Sequence, residues 1–495
     1  MSDFEGEAWG IDFGTTNSAL FAYIGRYGSS NPSPINFDDA GKPVPSVVAI
    51  DRSSGDVYVG RDAKRRHLED PDKYAYVHSV KSVLEDDSWR IEVAGKIWRP
   101  VDVASEIFKK LKDLAGRQMY SVKDVVVAIP NGASGKKRAR IHEAAQMAGL
   151  NIRQFVTEPV AAFFANHNYL KNERYVAVFD WGGGTLDITV LENRADRKIV
   201  ELAKACLPLA GDALDEAIAR EIHRRLVDLH GFDKAFSEMS DIDCERLIEQ
   251  CEIAKCRLAE REEESIAVMD YGGAIVNETL TRRQLSDVIR PQVSRALELF
   301  ARVIDESNLA KDAIGKVLIV GGSSRLWDIR NGIERMFAGA GDKVLKPKDA
   351  EWNVAKGAGR IDYRKGEYYS ADDIGIVLGD ESASFYPLLH GYFSTSPHPL
   401  SHFHLASSFG IMDTTGYPRI VFAARDADGK RRTLDASVVA RAYGFLTEVI
   451  EMETVVNDAL VFCVRIKSGN TTLGNALYWE YPDMRLVYEA PTFGE

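Results

Sequence analysis

Through its first 365 residues the chain alternates short apolar runs with longer stretches of helical spacing. Trp9–Phe13 and Ala19–Ile24 are apolar runs around a Gly/Thr turn, which predicts a hairpin. Val103, Ile107, Leu111 and Leu114 share one face and predict a helix over Val101–Leu114. Val125–Ile129 is apolar throughout, the pattern of a strand buried on both faces, and a helix is expected over Gly135–Gly149. Strands at Tyr175–Phe179 and Leu186–Leu191 flank a glycine turn. Helices follow at Asp212–His230, Ile242–Glu264 and Leu285–Ser307. Then come a strand at Val317–Val320, another glycine turn and a helix at Leu326–Phe337. Strands and helices interleaved in this way predict an α/β architecture.

The pattern changes near Arg364–Asp373. Beyond it, Ile374–Leu378, Arg419–Ala423, Leu460–Ile466, Ala476–Trp479 and Leu486–Tyr488 read as strands separated by turn signals such as Asp426-Ala-Asp-Gly429. Thr433–Met452 fits a helix or a hairpin equally. The expected organisation is therefore an α/β domain over 1–365, a linker over 366–373 and a small β-rich, sandwich-like domain over 374–495.

With 495 residues, 45% hydrophobic and 27% charged, the chain has ample material for more than one core and is not a disordered polymer. Its 62 basic and 74 acidic residues leave a net charge of −12. That argues against a general nucleic-acid partner, whose binding depends on clustered Lys and Arg. It leaves a single nucleotide site open. No apolar run reaches membrane-spanning length, and Met1–Ala8 lacks the basic start and apolar centre of a secretory leader. Five sparse cysteines suit a reducing compartment, so a cytoplasmic location without a membrane partner is expected. Cys244, Cys251 and Cys256 contain no CxxC pair and are expected to be ordinary thiols. His398, His402 and His404 cluster in a proline-rich stretch without nearby thiols or carboxylates, a weak metal pattern.

Three Gly-rich turns follow strands. They are Ile11-Asp-Phe-Gly-Thr-Thr-Asn-Ser18, Phe179-Asp-Trp-Gly-Gly-Gly-Thr-Leu-Asp187 and Val320-Gly-Gly-Ser-Ser-Arg325. Gly14, Gly182, Gly183, Gly184, Gly321 and Gly322 let backbone N–H groups approach an anion, and Thr15, Thr16, Asn17, Thr185 and Ser323 add polar side chains. Asp12, Asp180 and Asp187 cannot bind phosphate directly. They make sense with a magnesium ion and its waters between carboxylate and phosphate. No G-x-G-x-x-G opens a helix after the first strand, so a dinucleotide fold is unsupported. Gly132-Ala-Ser-Gly-Lys136 imitates a P-loop, but the earlier glycine would fall at Pro130. Lys136, Lys137 and Arg138 are therefore expected to open a solvated helix.

These motifs, with Val126-Val-Ala-Ile-Pro130, Thr157-Glu-Pro-Val-Ala-Ala162 and Ala355-Lys-Gly-Ala358, resemble the ATPase domain of the 70-kDa heat-shock chaperones (DnaK-like). The resemblance covers most of the first 365 residues and keeps the motif order. It implies an actin-like two-lobed ATPase fold, with duplicated ribonuclease H-like subdomains, that binds ATP or ADP with Mg2+. It also implies roles. Lys81 falls where the family places its hydrolytic lysine, and Thr185 would contact the γ-phosphate. Glu158 would hold water near the metal. Asp180 and Asp187 would orient water and nucleophile, with Asp12 and Asp180 holding the ion through water. Pro130 and Arg138 match a switch that reports nucleotide state to the next domain. On the adenosine side Glu252 and Lys255 match, joined by Gly321, Gly322, Ser323 and Arg325. The family's adenine-stacking arginine is replaced by Cys256 and a serine beyond it by Ala259. Weaker adenine binding, or compensation by Arg257 or Arg325, is expected.

The resemblance further implies weak intrinsic ATPase turnover, a polypeptide client or one dedicated partner, a J-domain helper and a nucleotide-exchange factor. The C-terminal part departs from the family. Its linker is polar, and the residues after Asp373 suffice for a β-sandwich but not for the helical lid. A sugar-type kinase and an actin-like filament-forming ATPase remain the alternatives.

Overall fold

The computed structural model describes residues 6–25, 32–130, 133–195, 198–337, 342–364, 367–379, 381–392, 404–410, 419–439, 449–457, 460–468, 477–481, 484 and 486–489. Two β-sheets define two lobes. In the first, Gly6–Phe13 and Asn17–Gly25 form an antiparallel hairpin, and Asp124–Ile129 runs parallel to the first of these strands with Gly10 opposite Val126. Asn151–Thr157 extends the parallel side and Ser33–Phe37 the antiparallel side. The second lobe repeats this plan. Tyr175–Trp181 and Leu186–Asn193 form the hairpin, and Lys316–Val320 runs parallel beside it. This is the two-lobed, actin-like α/β architecture expected from the sequence.

Helix Asn353–Arg364 packs on the first hairpin and on helix Glu158–Ala165. The fit depends on missing side chains. A Cβ on Gly10 would lie 2.0 Å from the Gly359 nitrogen, and one on Gly357 would lie 1.7 Å from the Ala161 carbonyl oxygen. Backbone meets backbone here, so larger residues would force the elements apart.

Beyond Asp372 the described residues form two four-stranded antiparallel sheets. One has the order Phe385–Leu389, Asp373–Val377, Arg419–Arg425, Arg431–Val439. The other has the order His404–Gly410, Val449–Val456, Phe462–Ser468, Leu477–Tyr481. Phe422 of the first stacks on Trp479 of the second at 3.7 Å, so the sheets face one another as a sandwich.

Local pattern misjudged three places. The helix expected to reach Glu264 ends at Leu258, and Glu263–Tyr271 instead pairs with Ala274–Thr281 as a hairpin. Its buried positions alternate (Ile266, Val268), while the charges at its two ends, Glu263, Glu264 and Asp270, imitate a helix surface. Arg431–Val439 and Val449–Val456 are strands of different sheets, neither one helix nor one hairpin. The third place is the segment read as a linker. Glu367–Ser370 is a strand, paired with Leu486–Glu489. Leu486–Glu489 pairs in turn with Lys198–Val200 at the edge of the second-lobe sheet. The sheet order there runs Leu186–Asn193, Lys198–Leu207, Leu486–Glu489, Glu367–Ser370. The segment is polar by composition, yet Tyr368 is buried against Tyr488 at 5.0 Å, and Tyr488 meets Phe164 of the first lobe at 5.1 Å.

Tyr488 is 1% exposed and thus central to this anchor. Tyr488→Ala is expected to cost about 3–5 kcal/mol, as for other deleted buried aromatics. Urea unfolding would read the loss, and hydrogen exchange at Glu367–Ser370 should accelerate.

Candidate functional site

The first glycine turn is held from outside. Ser46 donates its N–H to the Thr16 carbonyl at 2.8 Å and its hydroxyl to the Gly14 carbonyl at 2.8 Å. A Cβ on Gly14 would lie 2.1 Å from the Asn17 carbonyl oxygen. The second turn closes with the Gly182 N–H donating to the Thr185 carbonyl at 3.0 Å, which sets Asp180 opposite Asp187 in the hairpin. The two turns touch across the lobes. A Cβ on Gly183 would fall 2.1 Å from Thr16 Oγ1, and one on Gly184 would fall 2.7 Å from the Thr15 Cβ. In the third turn Gly321 has φ 81° and packs on the Trp181 backbone, while Ser323 donates to the Gly182 carbonyl at 2.9 Å. The three turns, distant in sequence, make one junction.

Behind it lies a buried ionic cluster. Lys81 sits on a single helical turn, Val80–Val83, entered through Ser79 at φ 51°, a left-handed conformation uncommon outside glycine. Its ammonium meets Glu158 Oε1 at 3.1 Å, and both side chains are nearly buried. Glu158 opens helix Glu158–Ala165, which Pro159 helps to start. Burial, then the charge of Glu158, push Asp12 up to about 7 and Asp187 up to about 6. The same two causes raise Asp180 far above the ordinary carboxylate value. For Lys81 burial acts downward, but Glu158 and Asp12 outweigh it and raise it. Asp187 Oδ1 is buried without a hydrogen-bond partner.

Four carboxylates thus face one ammonium, and a divalent cation would relieve the excess. The donor set fits Mg2+, a hard ion that keeps much of its water shell. Among the described residues no three His, Cys, Asp or Glu converge closely enough to cage an ion.

The adenosine-side residues lie on helix Asp241–Leu258 and at the third glycine turn. Glu252 is engaged by Lys64 at 3.0 Å, and Lys64 also meets Glu249 at 3.4 Å. His67 pairs with Glu245 at 2.6 Å, and Arg246 donates to the Leu68 carbonyl at 3.0 Å. Helix Arg61–Glu69 is thereby clasped to helix Asp241–Leu258 across the cleft. Lys255 pairs with Asp215 at 2.7 Å rather than with Glu252. Cys256 is exposed. Arg257 is held by Glu264 at 2.7 Å, while Arg325 contacts Glu351 and the Lys348 carbonyl, each at 3.4 Å.

Sequence reasoning missed Ser46, Lys64, Asp212 and Asp215. None carries a local motif, and each acts through residues far away in the chain. Lys136 is exposed, as expected, and pairs with Asp87 at 2.7 Å, while the half-buried Lys137 lies 3.5 Å from Glu85. Arg138 is buried, bonding the Ala133 carbonyl and, at 3.1 Å, the Leu460 carbonyl of the β-rich region. Pro130 ends the strand that precedes it. His398, His402 and Gly132 lie outside the described residues. Among the described residues no helix is long and apolar enough to cross a membrane.

The family model described as Hsp70 protein matches residues 72–361, more than half of the chain. The chain belongs to the Hsp70 family. It is 26% identical over 355 residues to the proteins named "Chaperone protein DnaK" in two strains of Halobacterium salinarum, a match covering 70% of this chain and 54% of each relative. The chain spans about half the length of these curated relatives.

The raised carboxyls make the metal-free junction pH-sensitive. Asp12 holds its proton up to about 7 in the folded state, against an ordinary value of 3.8. Between those values the folded state holds more protons, so this group's contribution falls as pH rises. Asp12→Asn is expected to stabilise the ligand-free, Mg2+-free protein by at least about 1 kcal/mol near pH 7.5 and by less near pH 5.5. Thermal melts of both proteins at the two pH values measure this difference.

Proposed function

We propose that the chain is an ATP-dependent, chaperone-like switch. It binds ATP with Mg2+ between the lobes and hydrolyses it slowly. The nucleotide state then changes how the β-rich region, residues 374–495, holds a polypeptide client or one dedicated partner. Family membership supports nucleotide binding. The observation that carries the reading is the junction itself, where Thr15 and Thr16 meet Gly183 and Gly184 over the buried Lys81–Glu158 pair.

In this reading the backbone of Gly14–Asn17 and Gly182–Gly184 binds the phosphates, with the hydroxyls of Thr15, Thr16 and Thr185. Asp12 and Asp180 hold Mg2+ through water, and the ion supplies positive charge that the carboxylates lack. Lys81 stabilises charge developing on the γ-phosphate. Glu158 fixes Lys81, and Asp187 uses its unpartnered oxygen to orient the attacking water. Glu252, Lys255, Gly321, Gly322, Ser323 and Arg325 border the nucleoside side. Pro130 and Arg138 carry the state of the cleft to the β-rich region, a route supported by the bond to Leu460. A J-domain protein and a nucleotide-exchange factor are the partners this cycle calls for.

Lys81→Ala and Thr185→Ala are expected to bind ATP and to hydrolyse it roughly a hundredfold more slowly. Calorimetry and phosphate release measure the two properties separately. Full turnover in both variants would refute the roles. Stimulation by unfolded peptide supports the switch, a phosphorylated sugar the kinase reading, and ATP-dependent light scattering the filament.

A further inference from the structure

Lys255 projects from helix Asp241–Leu258, and its surroundings are closely specified. Its ammonium donates to the Gly211 carbonyl at 3.1 Å and to Asp215 Oδ2 at 2.7 Å. Both members of this ion pair are under one-tenth exposed. An ammonium has three N–H donors, so one remains. A Cβ placed on Gly211 would meet Ser323 Oγ at 2.8 Å, Lys255 Nζ at 3.2 Å and the Gly183 Cα at 3.3 Å. The ammonium therefore sits beside both the second and the third glycine turn.

Asp215 lies one turn into helix Gly211–His230, facing helix Asp241–Leu258. Its Oδ1 is buried without a hydrogen-bond partner. Burial, opposed by Lys255, pushes its carboxyl up to about 7. A buried ion pair of this kind adds little net stability once desolvation is counted. What it supplies is position. Glu252, one turn before Lys255, is engaged by Lys64 on the opposite side of the cleft. Asp212 lies next to Thr16, with its carboxylate 3.4 Å from the hydroxyl. Asp215 is thus the carboxylate that fixes where the ammonium stands.

We propose that Asp215 is a positioning residue for nucleotide binding, holding the Lys255 ammonium between the second and third glycine turns so that its remaining N–H meets an oxygen of the nucleotide's ribose–phosphate. This rests on the nucleotide reading above and extends it to a residue that touches no nucleotide itself. Asp215 acts only through Lys255. Its removal therefore shifts affinity and leaves the chemistry at Lys81 and Thr185 unaltered.

Calorimetric titration of the full chain with Mg2+ and ADP tests the assignment without turnover. Asp215→Asn is expected to weaken ADP binding about tenfold, the scale of one charge-assisted hydrogen bond. Turnover at saturating ATP should stay within about twofold of wild type. Lys255→Met should weaken binding to a similar degree, and Lys255→Met/Asp215→Asn no further than Lys255→Met alone. Should Asp215→Asn fail to fold, Lys255→Met/Asp215→Leu removes both charges together and is expected to bind as weakly as Lys255→Met. Wild-type affinity in Asp215→Asn, or losses that add in the double variant, overturn the assignment while leaving the nucleotide reading standing. A wild-type chain that gives no heat with ADP sinks both.

Discussion

Lys81 and Glu158 meet at 3.1 Å in a space that also holds Asp12, Asp180 and Asp187, and this uneven cluster lies where the two lobes touch. Negative charge is in excess there, and water is largely excluded. Each neighbouring element can be understood by what it does for that imbalance. The hairpins of both lobes bring their aspartates in on opposite sides. The glycines remove side-chain bulk so that the turns can approach. Helix Glu158–Ala165 delivers the one carboxylate that neutralises the lysine. A cleft built this way leaves negative charge in excess over the single Lys81 ammonium.

The influence of the cluster extends outward by short steps. Thr157, next to Glu158, donates its hydroxyl to Glu201 at 2.8 Å on the strand that carries the C-terminal anchor. Arg138 reaches from the first lobe to Leu460. The clasp of Lys64 and His67 on the acidic face of helix Asp241–Leu258 spans the other side of the cleft. The C-terminal part therefore touches the first lobe at Leu460 and at Tyr488, and joins the sheet of the second through Leu486–Glu489. A change in the angle between the lobes has to be absorbed by that region.

Much of this was legible in the chain because it is written locally. The Asp-x-Gly-Thr-Thr and Gly-Gly-Gly-Thr turns follow apolar runs, and glycine at these positions signals a turn by itself. The helices at Val101–Leu114 and Asp212–His230 matched their periodicity to within a few residues. What local pattern could not carry was pairing at a distance. Lys81 meets Glu158 across 77 residues and Lys64 meets Glu252 across 188. Composition misled at Glu367–Ser370, where a polar segment became a strand because a partner lies more than a hundred residues further on. It misled again at Glu263–Tyr271, where charged residues on the open face of a hairpin resemble helix surface.

The pairing of Glu367–Ser370 with Leu486–Glu489 has a consequence for how the molecule is made. During synthesis the strand Glu367–Ser370 leaves the ribosome long before Leu486–Glu489, its one neighbour in the sheet among the described residues. Until Leu486–Glu489 emerges, the edge at Lys198–Val200 stays bare and Glu367–Ser370 has nothing to zip onto. The second lobe is thus completed late, after the whole sandwich has been translated, and the ribosome-bound intermediate carries an open β-edge of the kind that invites mispairing.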